Sequence, residues 1–463
     1  MSRESNILKN TAVYAVGNLG SKILAYIMVL VYTHYINSNE LGYYDLILTT
    51  INLILPIVLW SFDEGIYRWL IDSTNDNIIK TISTCFKTIL GTTFLIGCCL
   101  LIVDHIVNIK YVWLIVLLLS SMAIYQLFLS AVRGLSNSKT YAISGVINST
   151  VDLALEFVGL VFFHMGVEVL LFSKVFANLI TIGYLSIRQK ELRSCIKANF
   201  SVKIAKALFK YSLPLIPNAV SWWIVNSSDR YIILFFLGTA YNGIYSISNK
   251  FPTIITTITG IVYFSLQESI IKEYGSQDRD QFYSKIFKKY YTILFSLVIC
   301  AIPATKLVIQ WFVSTAYRSA WEFTGFLYIS TVFSALSAFL GIGYQISKET
   351  KRSVISTVSA AGINALINIL LIDHIGLYAA SFSTMVAYIF LFGLRIKHSR
   401  KYFQLNIQWT HFLTLILCVC MSMIVSYLPD TLDIMISELL LILFVLVGNR
   451  KLILDLLGIV KKR

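Results

Sequence analysis

Residues 211–252, YSLPLIPNAVSWWIVNSSDRYIILFFLGTAYNGIYSISNKFP, decide the fold. Apart from scattered polar residues the stretch is apolar enough to sit in lipid, and it reads as one helix, a turn and the start of a second. Three of the chain's six prolines (Pro214, Pro217, Pro252) fall in it, together with Asn218, Asn226, Asp229, Arg230, Asn249 and Lys250. Asn218, Trp222, Asn226 and Asp229 are spaced by four, four and three, which places them on one face of a continuous helix. Polar side chains and prolines are tolerated in a membrane helix where they face protein or water, so this face is expected to line a cavity.

The rest of the chain extends that reading. Of 463 residues, 57% are hydrophobic and only 13% charged, and the mean hydropathy is +0.73. A soluble domain cannot hide so much apolar surface. Apolar runs give fourteen expected spans: 11–35, 41–62, 81–103, 111–132, 141–164, 167–187, 211–237, 241–266, 287–309, 321–346, 353–372, 375–395, 410–428 and 433–448. The expected class is therefore an all-α integral membrane protein. The opening residues, MSRESNILKN, show no signal-peptide cleavage pattern, so the first span is expected to be retained.

Lysine and arginine set the orientation. With the N-terminus inside, the inner connections include RGLSNSK (133–139), RQKELRSCIKANFSVKIAKALFK (188–210), QESIIKEYGSQDRDQFYSKIFKKY (267–290), SKETKR (347–352) and RIKHSRKYF (395–403). The outer connections carry only Lys110, Lys306 and Arg318. The formal charge of +14 thus reports topology and attraction to anionic lipid, and does not imply nucleic-acid binding. Both termini are expected in the cytoplasm. The seven cysteines lie in spans or on the inner side and form neither a disulfide framework nor a CxxC metal pair. The six histidines are scattered singly, and no metal site or cofactor is expected.

A short motif recurs. ELGYYDL (40–46) follows the first span and YNGIYSI (241–247) follows the seventh, so Gly-x-Tyr-x-aliphatic returns about 200 residues later at the turn of a hairpin. Two halves in the same orientation constitute a parallel repeat, with substrate between them. The expected organisation is an N-terminal lobe of helices one to six (1–187), a basic cytoplasmic linker (188–210), a C-terminal lobe of helices seven to twelve (211–400), then helices thirteen and fourteen with a basic tail (401–463).

The run YSLPLIPNAVSWWIVNSSDRYIILFFLGTAYNGIYSISNK resembles the seventh and eighth helices of bacterial polysaccharide flippases, the O-antigen and capsule repeat-unit exporters of the multidrug/oligosaccharidyl-lipid/polysaccharide superfamily. KNTAVYAVGNLGSKILAYIMVLVYTHYINSNELGYYDL is similar to their first two helices and RGLSNSKTYA to their fourth inner loop. Together these stretches cover about a third of the chain. The resemblance implies a V-shaped, two-lobe MATE-like bundle with a cavity lined by helices one, two, seven and eight. It also implies a polyprenyl-diphosphate-linked oligosaccharide as cargo. The polymerase and chain-length proteins of the same pathway are its implied partners.

Lys22 in the first span, Arg230 in the seventh and Lys250 in the eighth are the candidate phosphate ligands. A lone cation in lipid costs on the order of 3 kcal/mol or more, so each must face water, an anion or a partner. Arginine offers phosphate a bidentate fork and lysine a point charge. The alternative for Arg230 is a buried ion pair with Asp229. Trp222 can stack on sugar rings or simply pack. Asp152 and Glu156, four apart, lie within reach of Lys174 and read as pairing within the lobe, with a proton relay as the alternative. Asn364 and Asn368 read as helix–helix hydrogen bonding. The sequence holds neither a P-loop nor HExxH, so the expected protein is a transporter rather than an enzyme, driven by proton, sodium or membrane potential. The rival readings are a multidrug exporter of the same fold and a membrane-embedded polymerase or ligase of the pathway.

Overall fold

The computed structural model describes residues 26–71, 75–346, 350–428 and 443, and all regular structure within them is helical. A first helix, α1, covers 26–35. It is followed by α2 (Ser38–Val58), α3 (Phe62–Ile71), α4 (Asn75–Val107), α5 (Val112–Gly134), α6 (Ser138–Val161) and α7 (Glu168–Arg188). Two short helices, α8 (Lys190–Ser194) and α9 (Val202–Ser212), lead into α10 (Ile216–Ser227) and α11 (Asp229–Phe236). Then come α12 (Thr239–Lys272), α13 (Arg279–Phe312), α14 (Ala320–Ile346), α15 (Thr350–Ile375), α16 (Leu377–Ser399) and α17 (Trp409–Tyr427).

Ten of these helices are long and apolar enough to cross a membrane: α2, α4 to α7 and α13 to α17. An all-helical solution is what lipid demands, because each spanning segment then satisfies its own backbone. The other four expected spans fare differently. Most of 11–35 and all of 433–448 save residue 443 lie outside the described residues. The eighth sits in α12, which is 34 residues long but carries Asn242, Asn249, Lys250 and threonines at 253, 256, 257 and 259. The seventh is the correction. It is not one helix: a 3-10 turn at Leu213–Leu215 precedes α10, and α10 stops at Ser227 before α11 begins at Asp229. Proline accounts for the first interruption, with Pro214 in the 3-10 turn and Pro217 in the first turn of α10, where a missing N–H costs nothing. Ser227, Ser228 and Asp229 account for the second, since short polar side chains compete for the backbone bonds a helix needs.

The described residues form two compact units that divide between Ser227 and Ser228. The division falls later in the chain than the basic stretch 188–210, because that stretch is itself folded onto the first unit. There α8 and α9 pack on α4, α9 also packs on α3, and α10 packs on α2. Phe209 of α9 meets Trp60 and Phe62 edge-on at 5.0 and 4.9 Å. Gly65 lets α3 and α9 approach, since a Cβ there would stand 2.5 Å from Ser212 Oγ. At the end of α8, Cys195 is fully buried, and burial pushes its thiol up to about 11.

In the first unit α5 packs against α3, α4 and α7, and α6 lies along α7. In the second, α14 is central, touching α12, α13, α15 and α16, while α17 lies on α13. A group of rings, Phe287, Phe333, Phe392 and Phe412, fills the space between α13, α14, α16 and α17. The α11–α12 turn uses Gly238 at φ +95, a conformation glycine adopts without strain. Its backbone N–H closes the turn on Ile233 O at 3.0 Å. Ile233 and Tyr245 then enter a buried cluster with Phe323, Leu327, Ile372 and Leu377.

Candidate functional site: a charged cluster in each unit

In the second unit the break before α11 places Asp229 and Arg230 in the first turn of a new helix. Asp229 is 3% exposed. Its carboxylate accepts from Arg230 Nη1 at 3.1 Å and from the Tyr245 hydroxyl at 2.5 Å. The guanidinium lies 5.9 Å from the Tyr245 ring centroid, within cation–π range. One turn on in α12, Asn249 Nδ2 donates to Tyr245 O at 2.9 Å, and Lys250 follows it, half-buried. A buried carboxylate needs several donors, and here it has a cation and a phenol.

The structure thus brings Asp229, Arg230 and Tyr245 together in the second unit, while the rest of the expected stripe belongs to the first. Asn218, Trp222 and Asn226 share an exposed face of α10, where Asn226 Nδ2 donates to Trp222 O at 2.8 Å. The next tryptophan anchors that helix: Trp223 Nε1 donates to Thr49 O of α2 at 2.9 Å. The spacing of four and four holds within α10, and the break at Ser228 ends it before Asp229. Lys22 lies outside the described residues.

In the first unit Lys174 of α7 donates to Asp152 Oδ2 at 2.7 Å and lies 3.7 Å from Glu156 Oε1, both on α6. Tyr44 of α2 is buried beside Lys174, Asp152 and Glu156. The pairing read from the sequence is therefore present, and it has a polar setting. A cavity of about 280 Å³ beside it is lined by Asn52, Gln126, Asn148, Asp152, Lys174 and Asn178. Asn148 Nδ2 donates to Asn178 Oδ1 at 3.0 Å, and Asn178 Nδ2 to Ser121 Oγ at 3.1 Å. One lysine thus faces two carboxylates.

Two further residues depart from expectation. Asn368 of α15 is fully buried, yet neither amide atom has a hydrogen-bond partner among the described residues, so it does not make the interhelical bond its spacing suggests. Arg395 was expected in an inner connection and lies instead inside α16, 3% exposed. Its guanidinium donates to Ser337 O at 2.8 Å, Thr357 Oγ1 at 3.1 Å and Ser356 Oγ at 3.4 Å, joining α14, α15 and α16. Gly341 makes the room, since a Cβ there would stand 2.9 Å from Arg395 Nη1. Among the described residues no group of three or more His, Cys, Asp or Glu is placed to hold a metal ion.

Solved structures share this arrangement of helices. The lipid II flippase MurJ in an inward closed conformation superposes with a TM-score of 0.67 at 14% identity, over 96% of this chain and 100% of that one. An inward-facing multidrug resistance MATE family transporter of the MOP superfamily gives 0.64 at 12% identity, over 88% and 95%. A mutant of the Vibrio cholerae MATE transporter VcmN gives 0.56 at 10% identity, over 86% and 97%. At such identities the likeness is one of fold. No curated protein matches the sequence. The model of the polysaccharide biosynthesis protein family matches residues 7–271, more than half of the chain, and the protein belongs to that family.

Proposed function

We propose that the protein is a flippase that carries a polyprenyl-diphosphate-linked oligosaccharide repeat unit from the cytoplasmic to the outer leaflet of a bacterial inner membrane, for O-antigen, capsule or exopolysaccharide assembly. Membership in the polysaccharide biosynthesis family and the fold shared with flippases and exporters support the lipid-linked class of cargo. The observation that carries the reading is the broken seventh helix with Arg230 beside its break, in a chain otherwise built to be apolar. Discontinuous helices in transporters put backbone ends and charge at substrate depth. The sugar head cannot cross hydrocarbon unaided, because each unpaired hydroxyl costs several kcal/mol on transfer. A polar path removes that cost while the prenyl tail stays in lipid. Lys22, Arg230 and Lys250 serve the diphosphate in this reading, and Asn218, Trp222 and Asn226 the sugars. An inside-negative potential assists, by about 2.3 kcal/mol per net negative charge moved outward across 100 mV. The termini face the cytoplasm, following the charge bias of the connections.

The test uses the pair as found. Arg230→Ala alone takes the close cation from the buried Asp229 carboxylate, so the informative variant is Asp229→Asn with Arg230→Gln, which removes both charges and leaves neutral amides. Loss of surface polysaccharide with accumulation of a polyprenyl-linked oligosaccharide, identified by mass spectrometry, is the expected result. Normal polysaccharide from this variant, present in the membrane at wild-type level, rejects the assignment.

One observation favours a second reading. The two carboxylates at the cavity in the first unit suit a cation exporter better than an anion carrier. Resistance to organic cations that rises on overexpression and falls in Asp152→Asn identifies that case.

A further inference from the structure

We infer that the cavity inside the first unit is a subsite for one neutral sugar ring, a hexose or its N-acetyl derivative. Four carboxamides line it, each from a different helix: Asn52 from α2, Gln126 from α5, Asn148 from α6 and Asn178 from α7. All four helices are apolar enough to cross a membrane, and the four residues sit near mid-length in them. A polar side chain at that depth is costly unless it faces protein, water or a ligand, so their convergence makes this hollow a polar site. Each amide offers a donor and an acceptor, and a sugar hydroxyl uses both. The inference rests on the transport reading above, in that the ring is one residue of the cargo's sugar head.

Two of the amides are held in place. Asn148 Nδ2 donates to Asn178 Oδ1 at 3.0 Å and to Thr181 Oγ1 at 3.4 Å, and Asn178 Nδ2 donates to Ser121 Oγ at 3.1 Å. Groups fixed before a ligand arrives lose less freedom when it binds. Asp152 adds an acceptor: its Oδ2 takes Lys174 Nζ at 2.7 Å, while its buried Oδ1 has no hydrogen-bond partner among the described residues. A buried oxygen without a donor is costly, and a hydroxyl supplies one. Leu48, Leu55, Met122 and Tyr125 make the remaining wall largely apolar. A pyranose has the same division, hydroxyls at its rim and C–H groups on its faces, and a tyrosine ring suits those faces.

Size and charge select among ligands. The cavity of about 280 Å³ falls just short of the range of about 300–1,000 Å³ that takes drug-sized ligands, which leaves room for one ring and not for a chain of them. A small cation would have to share its carboxylates with the Lys174 ammonium, already 2.7 Å from Asp152. A phosphate would meet Asp152 and Glu156, which repel it. A neutral ligand rich in hydroxyls incurs neither penalty. Position agrees: Trp223 Nε1 donates to Thr49 O, which pins α10 to α2 one turn before Asn52. The sugar-facing residues assigned on α10 and this cavity therefore meet on the same helix.

Equilibrium dialysis of the purified full chain in lipid nanodiscs tests this, with radiolabelled glucose, galactose, N-acetylglucosamine and N-acetylgalactosamine in turn. The expected result is saturable binding of at least one of them, undisturbed by sodium or tetraethylammonium. In Asn52→Leu/Gln126→Leu, which removes two of the amides, the Kd for that sugar should rise roughly tenfold or more. An unchanged Tm establishes that the double variant is folded; Asn52→Leu alone, at an exposed position, serves if it is not. Photocrosslinking of the wild type with a diazirine derivative of the bound sugar needs no variant at all. Label on peptides from α2, α5, α6 or α7 supports the site, and label confined to other helices overturns it. Absence of saturable binding by the wild type also overturns it, as does equal binding by wild type and folded variant, or displacement by either cation. Binding is read with free sugars and without transport, so a site that fails to bind leaves the transport reading standing. Normal polysaccharide from Asp229→Asn with Arg230→Gln, which rejects that reading's charge assignment, leaves the dialysis result untouched.

Discussion

The two Gly-x-Tyr hairpins repeat one device with opposite bookkeeping of charge. Each puts a buried tyrosine, Tyr44 in α2 and Tyr245 in α12, against the charged cluster of its own unit. In the first unit the cluster is one lysine between two carboxylates, with half-buried members and a cavity alongside. In the second it is one carboxylate between an arginine and the tyrosine, with side chains only 13% and 5% exposed. The tyrosine hydroxyl donates to the carboxylate in the second unit and lies beside the lysine and both carboxylates in the first. The difference teaches where redundancy lies: Lys174 has a second carboxylate to turn to, and Asp229 has Arg230 as its close cation.

The largest effect should therefore come from deleting Asp229. Removing one member of a buried pair strands the other and costs about 3–5 kcal/mol, so Asp229→Ala should lower the Tm in detergent strongly or abolish folded yield. Asp152→Ala should cost less, because Glu156 already stands 3.7 Å from Lys174. Equal losses, or a larger one at Asp152, break the comparison.

Removal of each tyrosine hydroxyl comes next. Tyr245→Phe withdraws a 2.5 Å hydrogen bond from a buried carboxylate and should cost about 1.5–3 kcal/mol, the range for bonds to charged groups. Tyr44→Phe removes a buried hydroxyl beside a lysine that keeps Asp152 and should fall nearer 1 kcal/mol or below. Thermal melts of the two variants side by side give the ranking, and a Tyr44→Phe loss above that of Tyr245→Phe contradicts it.

Much of this was legible in the sequence, and the gaps have physical causes. Asp152 and Glu156 four apart on one span, with Lys174 on the next, predict their pairing directly. Gly-x-Tyr marked the right turns, but a motif gives spacing and not which charge a ring will face. Asp229–Arg230 was visible as a possible pair; the break ahead of it was not, because apolar residues run on either side of Ser227–Ser228 and hydropathy averages across them. The basic stretch 188–210 read as a connection because lysines dominate it. Its helix α9 is set by Ala205, Leu208 and Ser212, which are buried against the first unit. Arg395 was lost to the same rule, since a basic run after apolar residues reads as a helix end while α16 continues to Ser399.

Glu156 offers the smallest effect and the sharpest check on how Lys174 divides between the two carboxylates. At 3.7 Å from Lys174 Nζ, Glu156 Oε1 lies beyond good hydrogen-bond range while Asp152 Oδ2 lies at 2.7 Å, so its attraction to the lysine is mainly electrostatic. It is 5% exposed, and burial of a charge carries a desolvation cost. Glu156→Gln removes that cost along with the weaker half of the attraction, and the two terms oppose each other. The expected change in stability is under about 1 kcal/mol in either direction, against a clear loss for Asp152→Asn, which takes the close partner from Lys174. If the two substitutions cost the same, Lys174 is shared evenly between the carboxylates, and the first unit holds a balanced triad rather than a close pair with a second carboxylate at longer range.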